Sequence, residues 1–323
     1  MSVDFARVGL AVGHATDAEG GTGCTVVRGV DSALRGGVAI FGRATGLREV
    51  QALGPDALSG RVDGVLLTGG SAYGLAAAQG VMRWMEEQGR GFPIGPGVVP
   101  IVPAAVIFDL GPLGRYDRRP TADMAYHATA HASSLDVAEG SVGAGTGATV
   151  GKAAGIGRAM KGGVGIAQRE SGGIRVAAIA VVNAFGDVRG ADGAIIAGAR
   201  DDAGGFLDAA RLLVDEPQRI AELRAQTQMR NTTLAVVATN AALDRVVLSQ
   251  LARAAGAALF HRITPVGTPF DGDTVFALGA LEGPAAEALH VEALAVAALE
   301  TAIERGVRLA VGQPGFPGLG DSA

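Results

Sequence analysis

Two hydroxyl side chains stand directly before a segment with the character of a buried strand. Thr232 and Thr233 follow Asn231 and precede a β-branched, apolar run at residues 234–239, a pattern that favours a strand. If the peptide bond before Thr232 were cut, Thr232 would carry both a hydroxyl nucleophile and a free α-amine. Such an amine has an ordinary pKa of about 7.7 to 8.0, so it can accept the proton of the hydroxyl beside it. The alternative is a polar turn before a strand, and the tripeptide alone favours that alternative.

A pair of carboxylates forms the second constellation. Asp271 and Asp273, separated by Gly272, precede a predicted strand and lie 39 and 41 residues after Thr232. One helix and two loops could return the chain to the first strand over that distance. A carboxylate within hydrogen-bond reach could then orient the new amine or help the hydroxyl to lose its proton. On its own, Asp-Gly-Asp is more often a turn, and the other ligand positions of a calcium-binding loop are missing from the sequence.

Two further polar residues lie in apolar or glycine-rich surroundings. Asn183 follows the predicted strand at residues 174–182, where its side-chain amide could donate a hydrogen bond to a developing oxyanion. An ordinary asparagine turn explains this residue equally well. Lys152 could supply positive potential or hold a carboxylate, whereas most lysines are solvated at the surface.

Other motifs argue against cofactor or metal chemistry. Residues 145–152 resemble a phosphate-binding loop, but Thr146 stands where that loop needs a glycine. Residues 143–148 match the loose dinucleotide fingerprint, yet no predicted strand precedes them. The five histidines have no metal-ligand spacing, and the sequence has no Gly-x-Ser-x-Gly motif. We therefore expect neither a cofactor nor a metal.

Composition narrows the class of protein. The 323 residues are 48% hydrophobic and 18% charged, which allows a large core, and the length fits about two domains or one large sandwich. A net charge of −5 argues against a nucleic-acid or anionic-membrane partner. The single cysteine, Cys24, excludes an intrachain disulfide and is expected to be a small buried side chain. The sequence has no signal-peptide pattern and no apolar window that could span a membrane, so we expect a cytoplasmic protein.

The hydrophobic pattern predicts short strands, glycine turns and helices that are apolar on one face. Predicted strands are residues 8–12, 25–30, 38–42, 64–68, 98–110, 164–167, 174–182, 234–239 and 274–280, and predicted helices are residues 73–88, 242–258 and 284–305. This mixture predicts layers of sheet covered by helices. Residues 201–228 are polar and typical of a surface connector, which would leave the peptide bond before Thr232 accessible.

Six segments, spread in order over nearly the whole chain, resemble the DmpA-like family of self-processing N-terminal-nucleophile hydrolases. They are residues 68–74, 102–109, 143–152, 182–183, 231–240 and 271–277. The family includes a D-aminopeptidase/esterase, β-peptidyl aminopeptidases and a nylon-oligomer hydrolase. The resemblance implies an α/β fold, a four-layer αββα sandwich with DmpA/ornithine-acetyltransferase-like topology. It also implies a single domain that is cut into an α chain of residues 1–231 and a β chain of residues 232–323.

Carried over residue by residue, the resemblance assigns roles to the positions singled out above. The cut would fall between Asn231 and Thr232 and leave Thr232 as the nucleophile. The family's other catalytic residues fall on Lys152, Asn183, Asp271 and Asp273. Aminopeptidase members carry serine at the positions of Thr232 and Asp271, so in both this chain looks like the nylon-oligomer hydrolase. That enzyme, however, is longer at its N-terminus and has tyrosine where this chain has Phe108, a position expected to contact substrate.

These observations predict an enzyme that cleaves a small peptide or amide substrate through an acyl-enzyme on Thr232. Asn183, with Lys152, would stabilise the oxyanion, and the two aspartates would orient the amine and the hydroxyl. The resemblance further implies a homotetramer of αβ units. Two other functions stay open: an uncleaved, non-catalytic ligand-binding protein and an acyltransferase of the ornithine acetyltransferase type. Amides of α-, β-, D- and ω-amino acids all remain open as substrates.

Overall fold

Strands and helices build two facing sheets between two helical layers. The computed structural model describes residues 3–111, 113, 115–225 and 231–322. In chain order its strands are β1 (Leu10–Asp17), β2 (Thr22–Gly29), β3 (Arg35–Ile40), β4 (Leu47–Arg48), β5 (Gly64–Thr68), β6 (Phe92–Ile94), β7 (Gly97–Val99), β8 (Ala104–Val106), β9 (Thr149–Val150), β10 (Met160–Lys161), β11 (Val164–Ser171), β12 (Ile174–Asn183), β13 (Asp187–Arg189), β14 (Ile195–Ala197), β15 (Thr232–Thr239), β16 (Ile263–Thr264) and β17 (Thr274–Gly279). Its α-helices are α1 (Ala78–Glu87), α2 (Ala122–Ala130), α3 (Ala209–Asp215), α4 (Gln218–Ala225), α5 (Arg245–Ala255), α6 (Ala257–Arg262) and α7 (Ala288–Arg308).

The first large sheet has the strand order β1-β2-β5-β8-β4, and the second has the order β11-β12-β15-β17-β3. In the second sheet β15 runs antiparallel to β12 and parallel to β17. A parallel neighbour requires a crossover connection, and α5 and α6 provide it. The carboxylate pair before β17 therefore returns to the start of β15, as the spacing in the sequence predicts, although two helices rather than one make the connection.

Successive side chains of β12 alternate between two apolar clusters, one on each face of the second sheet. Ile179 and Val181 belong to the apolar cluster between the two sheets, whereas Ala178, Ala180 and Val182 belong to the cluster beneath the helices. Successive side chains of a strand point to opposite faces. A strand that is apolar at every position is therefore one that is covered on both faces.

Helices cover the outer face of each sheet. Val26 and Leu66 of the first sheet pack with Val81 and Met85 of α1, and α2 contributes to the same cluster. The outer face of the second sheet packs against α5, α6 and α7, where the cluster continues through residues such as Leu299. The layer order is therefore αββα, and the predicted sandwich is confirmed. Cys24 is buried in the helix-facing cluster of the first sheet, as expected.

Several predicted elements have different limits in the structure, and three of them differ for an identifiable reason. The helix predicted from residue 73 begins as a 3-10 helix at Ser71–Ala77, and α1 follows it. The strand predicted at residues 98–110 is two short strands, β7 and β8, because Pro100 and Pro103 between them cannot donate ladder hydrogen bonds. The helix predicted at residues 242–258 divides at Gly256, where a Cβ atom would lie 2.0 Å from Phe41 Cζ.

The predicted connector at residues 201–228 contains α3 and α4, and its last residues, 226–228, lie outside the described residues. Within the part of the chain that the structure describes, none of the helices combines the length and the apolar character needed to cross a bilayer.

Candidate active site

Thr232 begins β15, and the alternation of that strand decides where its side chain points. Leu234 and Val236 face the space between the two sheets, whereas Ala235 and Val237 face the helices. Thr232 shares the direction of Leu234 and therefore points between the sheets, while its neighbour in sequence points towards the helices. The fold thus distinguishes two adjacent threonines that are chemically identical.

The carbonyl oxygen of Asn231 accepts two hydrogen bonds. Thr232 Oγ1 donates to it, and the backbone N–H of Gly272 donates to it at 3.0 Å. A parallel bridge between Asn231 and Asp271 continues the pairing of β15 with β17 and brings Gly272 to this place. A Cβ atom on Gly272 would lie 2.8 Å from Thr232 Oγ1 and 2.8 Å from Ala44 O. Only glycine allows the backbone to come so close to the hydroxyl.

The peptide bond before Thr232 is buried, so the expectation that it would be accessible is wrong. Asn231 is 2% exposed and Thr232 is 4% exposed, because both pair with neighbouring strands. The side-chain oxygen of Asn231 is buried without a hydrogen-bond partner among the described residues. An unsatisfied buried polar atom costs about 1–3 kcal/mol, so the side chain of Asn231 is held in an unfavourable environment.

Asn183 ends β12 directly opposite Thr232 in the antiparallel pairing. Its Oδ1 accepts a hydrogen bond from Lys152 Nζ at 2.8 Å and from the backbone N–H of Thr149 at 3.0 Å, and its Nδ2 donates to Phe108 O at 3.3 Å. Lys152 Nζ also donates to Asn183 O at 3.0 Å. Lys152 is 4% exposed, so the alternative of a solvated surface lysine is excluded. These bonds fix the orientation of the Asn183 amide.

The two aspartates before β17 accept hydrogen bonds from backbone groups near Thr232. Asp273 Oδ1 accepts from the N–H of Thr233 at 2.6 Å, and Oδ2 accepts from the N–H of Gly267 at 3.0 Å. Asp271 Oδ2 accepts from the N–H of Thr268 at 2.9 Å and from its Oγ1 at 2.6 Å. Asp273 therefore accepts a hydrogen bond from the backbone of the residue that follows Thr232, and not from Thr232 itself.

Burial dominates the electrostatics of this pair. Removal from water raises the pKa of Asp271, and burial together with the charge of Asp271 raises the pKa of Asp273. The N–H donors and the positive charge of Lys152 act in the opposite direction on the pKa of both groups. Lys152 thus acts on the ionisation of both carboxyl groups, and the three side chains form one buried polar cluster near Thr232.

A cavity of about 130 Å³ opens over Thr232. One wall comes from residues 44–46, which lie between β3 and β4. The lining also includes Ser71 and Ala72 after β5 and Val106 and Phe108 at the end of β8. Phe108, singled out from the sequence, therefore lines the same cavity as Thr232 and Asn231.

A second buried polar cluster supports the wall of the cavity and was not assigned a role from the sequence. Asp109 Oδ1 accepts from the N–H of Gly70 at 2.6 Å, and Oδ2 accepts from Thr22 Oγ1 at 2.7 Å. Burial raises the pKa of Asp109 to about 6, and burial lowers the pKa of nearby Lys161 to about 7. Gly70 has a left-handed φ of 82° and Ser71 a φ of 52°, so Asp109 holds a strained turn at the rim of the cavity.

Sequence reasoning missed Gly272 and Asp109 for different reasons. The amide of Gly272 is a backbone group, and a glycine between two acidic residues is equally expected in any turn. Asp109 lies next to Phe108 at the end of an apolar run, and a lone carboxylate there is a signal that could have been found. Among the described residues, no group of histidine, cysteine, aspartate and glutamate side chains is arranged to hold a metal ion.

Comparison with known proteins gives concordant matches over most of the chain. The model of peptidase family S58 matches residues 7–313. An uncharacterized aminopeptidase of Mycobacterium tuberculosis is 43% identical over 282 residues, which cover 84% of this chain and 79% of that protein. A 6-aminohexanoate-oligomer endohydrolase of a Kocuria species is 31% identical over 280 residues, covering 84% of this chain and 72% of that protein.

Solved structures show the same architecture. The L-aminopeptidase D-Ala-esterase/amidase of Ochrobactrum anthropi, described as a variant of the Ntn hydrolase fold, superimposes with a TM-score of 0.69 at 21% identity, covering 95% of this chain and 87% of that one. A β-aminopeptidase of a Burkholderia species gives a TM-score of 0.68 at 19% identity, covering 100% of this chain and 93% of that one. At these identities the likeness concerns the fold.

Proposed function

Because this chain belongs to peptidase family S58, we propose that its hydrolysis of peptide or amide bonds depends on a cut in its own chain between Asn231 and Thr232. The products would be an α chain of residues 1–231 and a β chain of residues 232–323. The second sheet would hold the two chains together in one domain, because β11, β12 and β3 come from the first and β15 and β17 from the second.

In the cut, Thr232 Oγ1 attacks the carbonyl carbon of Asn231. The C–N bond breaks as the C–O bond forms, and the hydroxyl proton moves to the departing nitrogen of Thr232. The N–H of Gly272 stabilises the charge that develops on the carbonyl oxygen. Water then hydrolyses the ester, which leaves a carboxylate on Asn231 and restores the Thr232 hydroxyl beside a free α-amine.

In turnover, the same hydroxyl attacks the substrate carbonyl while the α-amine of Thr232 accepts its proton and passes it to the leaving amine. Water releases the acyl group from Thr232. We assign Asn183, held by Lys152, to the stabilisation of the tetrahedral intermediate. Asp271 and Asp273 hold the start of β15 in place, and their charges act on the protonation of the new amine.

The observation that carries the proposal is the hydrogen bond from Thr232 Oγ1 to the carbonyl oxygen of Asn231, which already accepts the N–H of Gly272. The test uses the full chain, expressed and purified, with a denaturing gel, intact mass and N-terminal sequencing. We expect two chains in wild type, the smaller beginning Thr-Thr-Leu-Ala, and one chain in Thr232→Ala.

Thr233→Ala is the matched control, because that threonine points towards the helices. It should still be cut between Asn231 and Thr232. A wild-type chain that stays intact and hydrolyses amides would contradict the mechanism, and so would a Thr232→Ala chain that is still cut.

We also propose that the αβ units assemble into a homotetramer in the cytoplasm. The assembly would cover exposed apolar side chains such as Val246 and Phe260, which are 52% and 55% exposed on α5 and α6. Light scattering on the purified protein tests the mass, and a monomer of two paired chains would contradict the assembly.

A further inference from the structure

We propose that Ser71 binds substrate, and that its hydroxyl forms a hydrogen bond with the peptide or amide substrate in the cavity over Thr232. The inference rests on the proposed function, because it takes Thr232 as the nucleophile. Three features support it: the backbone conformation of Ser71, the composition of the cavity lining and the hydrogen bonds that hold the turn.

Ser71 adopts a backbone conformation that favours glycine. Its φ is 52°, in the left-handed region where a Cβ atom is unfavourable. Aspartate and asparagine are the other residues that enter this region most readily, and Asp136 and Asp208 of this chain do so. Serine is not among them. A residue held in such a conformation beside an active-site cavity indicates that its side chain has a function there.

The turn around Ser71 uses glycine wherever a Cβ atom would not fit. A Cβ atom on Gly69 would lie 2.0 Å from Asp109 Oδ2, and one on Gly74 would lie 1.8 Å from Gly69 O. Glycine at position 71 would complete this turn without backbone strain, yet the chain has serine there. The side chain of Ser71 is therefore not needed for the turn to form.

The cavity over Thr232 has a mixed lining in which the hydroxyl of Ser71 is available. Among the described residues, those with polar side chains in the lining are Thr45, Ser71, Asn231 and Thr232. Thr232 Oγ1 donates to the carbonyl oxygen of Asn231, and Asn231 Nδ2 donates to Phe270 O. Ser71 Oγ makes no hydrogen bond to another residue in the described part of the chain. Thr45 is exposed, whereas Ser71 is half-buried.

Hydrogen bonds fix the position of Ser71. Its N–H donates to Ile107 O at 3.0 Å, and the N–H of Gly70 donates to Asp109 Oδ1 at 2.6 Å. Thr22 Oγ1 donates to the other oxygen of that carboxylate at 2.7 Å. A hydroxyl on a turn held in this way loses little conformational freedom when a substrate binds.

The chemistry of a hydroxyl suits the substrates of the proposed reaction. It can donate to a carbonyl oxygen or accept from an N–H group, and a peptide or amide offers both. The cavity has a volume of only about 130 Å³, so substrate atoms next to the scissile carbonyl must pass close to Ser71. Within the described residues no hydrogen bond joins Ser71 to Asn231 or Thr232. We therefore expect Ser71 to affect substrate binding and not the self-cut.

The test uses the full chain after it has cut itself, with the 4-nitroanilides of L-alanine, D-alanine, β-alanine and 6-aminohexanoate as probes. Ser71→Ala removes the hydroxyl and keeps the Cβ atom. On the probe that wild type hydrolyses fastest, we expect KM to rise about 3- to 10-fold, as the loss of one neutral hydrogen bond predicts. The value of kcat should stay within about twofold of wild type, because uniform binding is lost.

Ser71→Gly separates binding from structure, because it removes the hydroxyl and also relieves the backbone. Its midpoint in urea, measured in Thr232→Ala chains, should equal or exceed that of the parent, whereas its KM should rise as in Ser71→Ala. A side chain with only a structural role would lose stability and activity together. Asp136→Gly and Asp136→Ala are the matched controls, because Asp136 has a φ of 53° and is exposed. Both should keep the KM and kcat of wild type.

Self-cleavage is scored on the same preparations. A Ser71→Ala chain that is cut and keeps the KM of wild type would overturn the assignment and leave Thr232 as nucleophile. A loss in kcat alone would do the same, and so would a rise in KM in Ser71→Gly but not in Ser71→Ala, since the backbone would then be responsible. A wild-type chain that neither cuts itself nor hydrolyses any of the probes would overturn the proposed function and this inference with it.

Discussion

Asn183 and Thr232 lie directly opposite each other where two antiparallel strands, β12 and β15, meet at one end of the second sheet. The last residue of one strand and the first residue of the other are thus a cross-strand pair. Strand pairing fixes their separation, and the sheet is buried on both faces. The relationship places a fixed amide beside a hydroxyl without requiring either to lie on a mobile loop.

Gly272→Ala should slow self-cleavage about 100-fold or more. The new Cβ atom would lie 2.8 Å from Thr232 Oγ1, so the hydroxyl or the donating N–H must move, and loss of one oxyanion donor alone costs about 10²- to 10³-fold. The measurement is the rate at which full-length chain disappears on a denaturing gel. Gly97→Ala, where nothing lies within 4 Å of the added atom, should be cut at the wild-type rate. Equal rates in the two variants would remove Gly272 from the mechanism.

Lys152→Met should move the acidic limb of the pH–rate profile to higher pH. Lys152 lowers the pKa of Asp271 and Asp273, so its loss should raise the pKa of both and require a higher pH to ionise them. A nearby positive charge favours the ionised form of a carboxylic acid, so the acidic limb of kcat/KM should lie at higher pH in Lys152→Met than in wild type.

Lys161→Met provides the control for that displacement, because Lys161 is the other buried lysine and donates to Thr146 O and Ala148 O. It should lower stability and leave the acidic limb in place. An unmoved limb in Lys152→Met would show that the lysine does not govern the ionisation of the pair.

Ionisation of Asp109 should lower the free energy of unfolding as the pH rises to about 6. Its pKa is raised to about 6 by burial, so the folded state binds the proton more tightly than the unfolded state does. The resulting stabilisation is complete below the unfolded pKa of about 3.9 and is lost as the pH rises through about 6. Unfolding by urea at pH 4 and pH 7 measures it, in Thr232→Ala chains so that cleavage does not intervene.

Replacing the carboxyl removes this dependence. Between pH 4 and pH 7, the free energy of unfolding of Asp109→Asn should fall by about 3 kcal/mol less than that of the parent. Each pKa unit corresponds to about 1.4 kcal/mol. An identical pH dependence in the two chains would show that Asp109 is not the group responsible.

Thr233→Val should leave stability unchanged or raise it by up to about 1 kcal/mol. Thr233 Oγ1 is buried without a hydrogen-bond partner among the described residues, so its hydroxyl costs desolvation without a compensating bond. Thr239→Val on the same strand is the matched contrast, because Thr239 Oγ1 accepts from the N–H of Ala241 at 3.1 Å. That variant should lose about 1 kcal/mol in urea unfolding. Similar losses in both would show that the Thr233 hydroxyl is satisfied.

Much of the fold follows from local patterns. The apolar strands at β12 and β15 are continuous because they are covered on both faces, and this character is visible in the residues alone. The limits of elements are less evident. Two examples are the 3-10 helix at Ser71–Ala77 and the division of a helix at Gly256. Both depend on neighbours that are distant in sequence, such as Phe41 beside Gly256, and local patterns cannot predict such contacts.

The sequence by itself determined which residue types could do the chemistry, a hydroxyl residue before a buried strand and a carboxylate pair downstream, and it determined the alternation that makes a layered sandwich. The tertiary structure decided that Thr232 rather than Thr233 faces the cavity, that the bond before it is buried, and that the N–H of Gly272 points at its carbonyl. The physical reason is that the type of a residue fixes the chemistry of its side chain. The direction of a hydroxyl and the approach of a backbone amide depend on strand register and on contacts across the sheets.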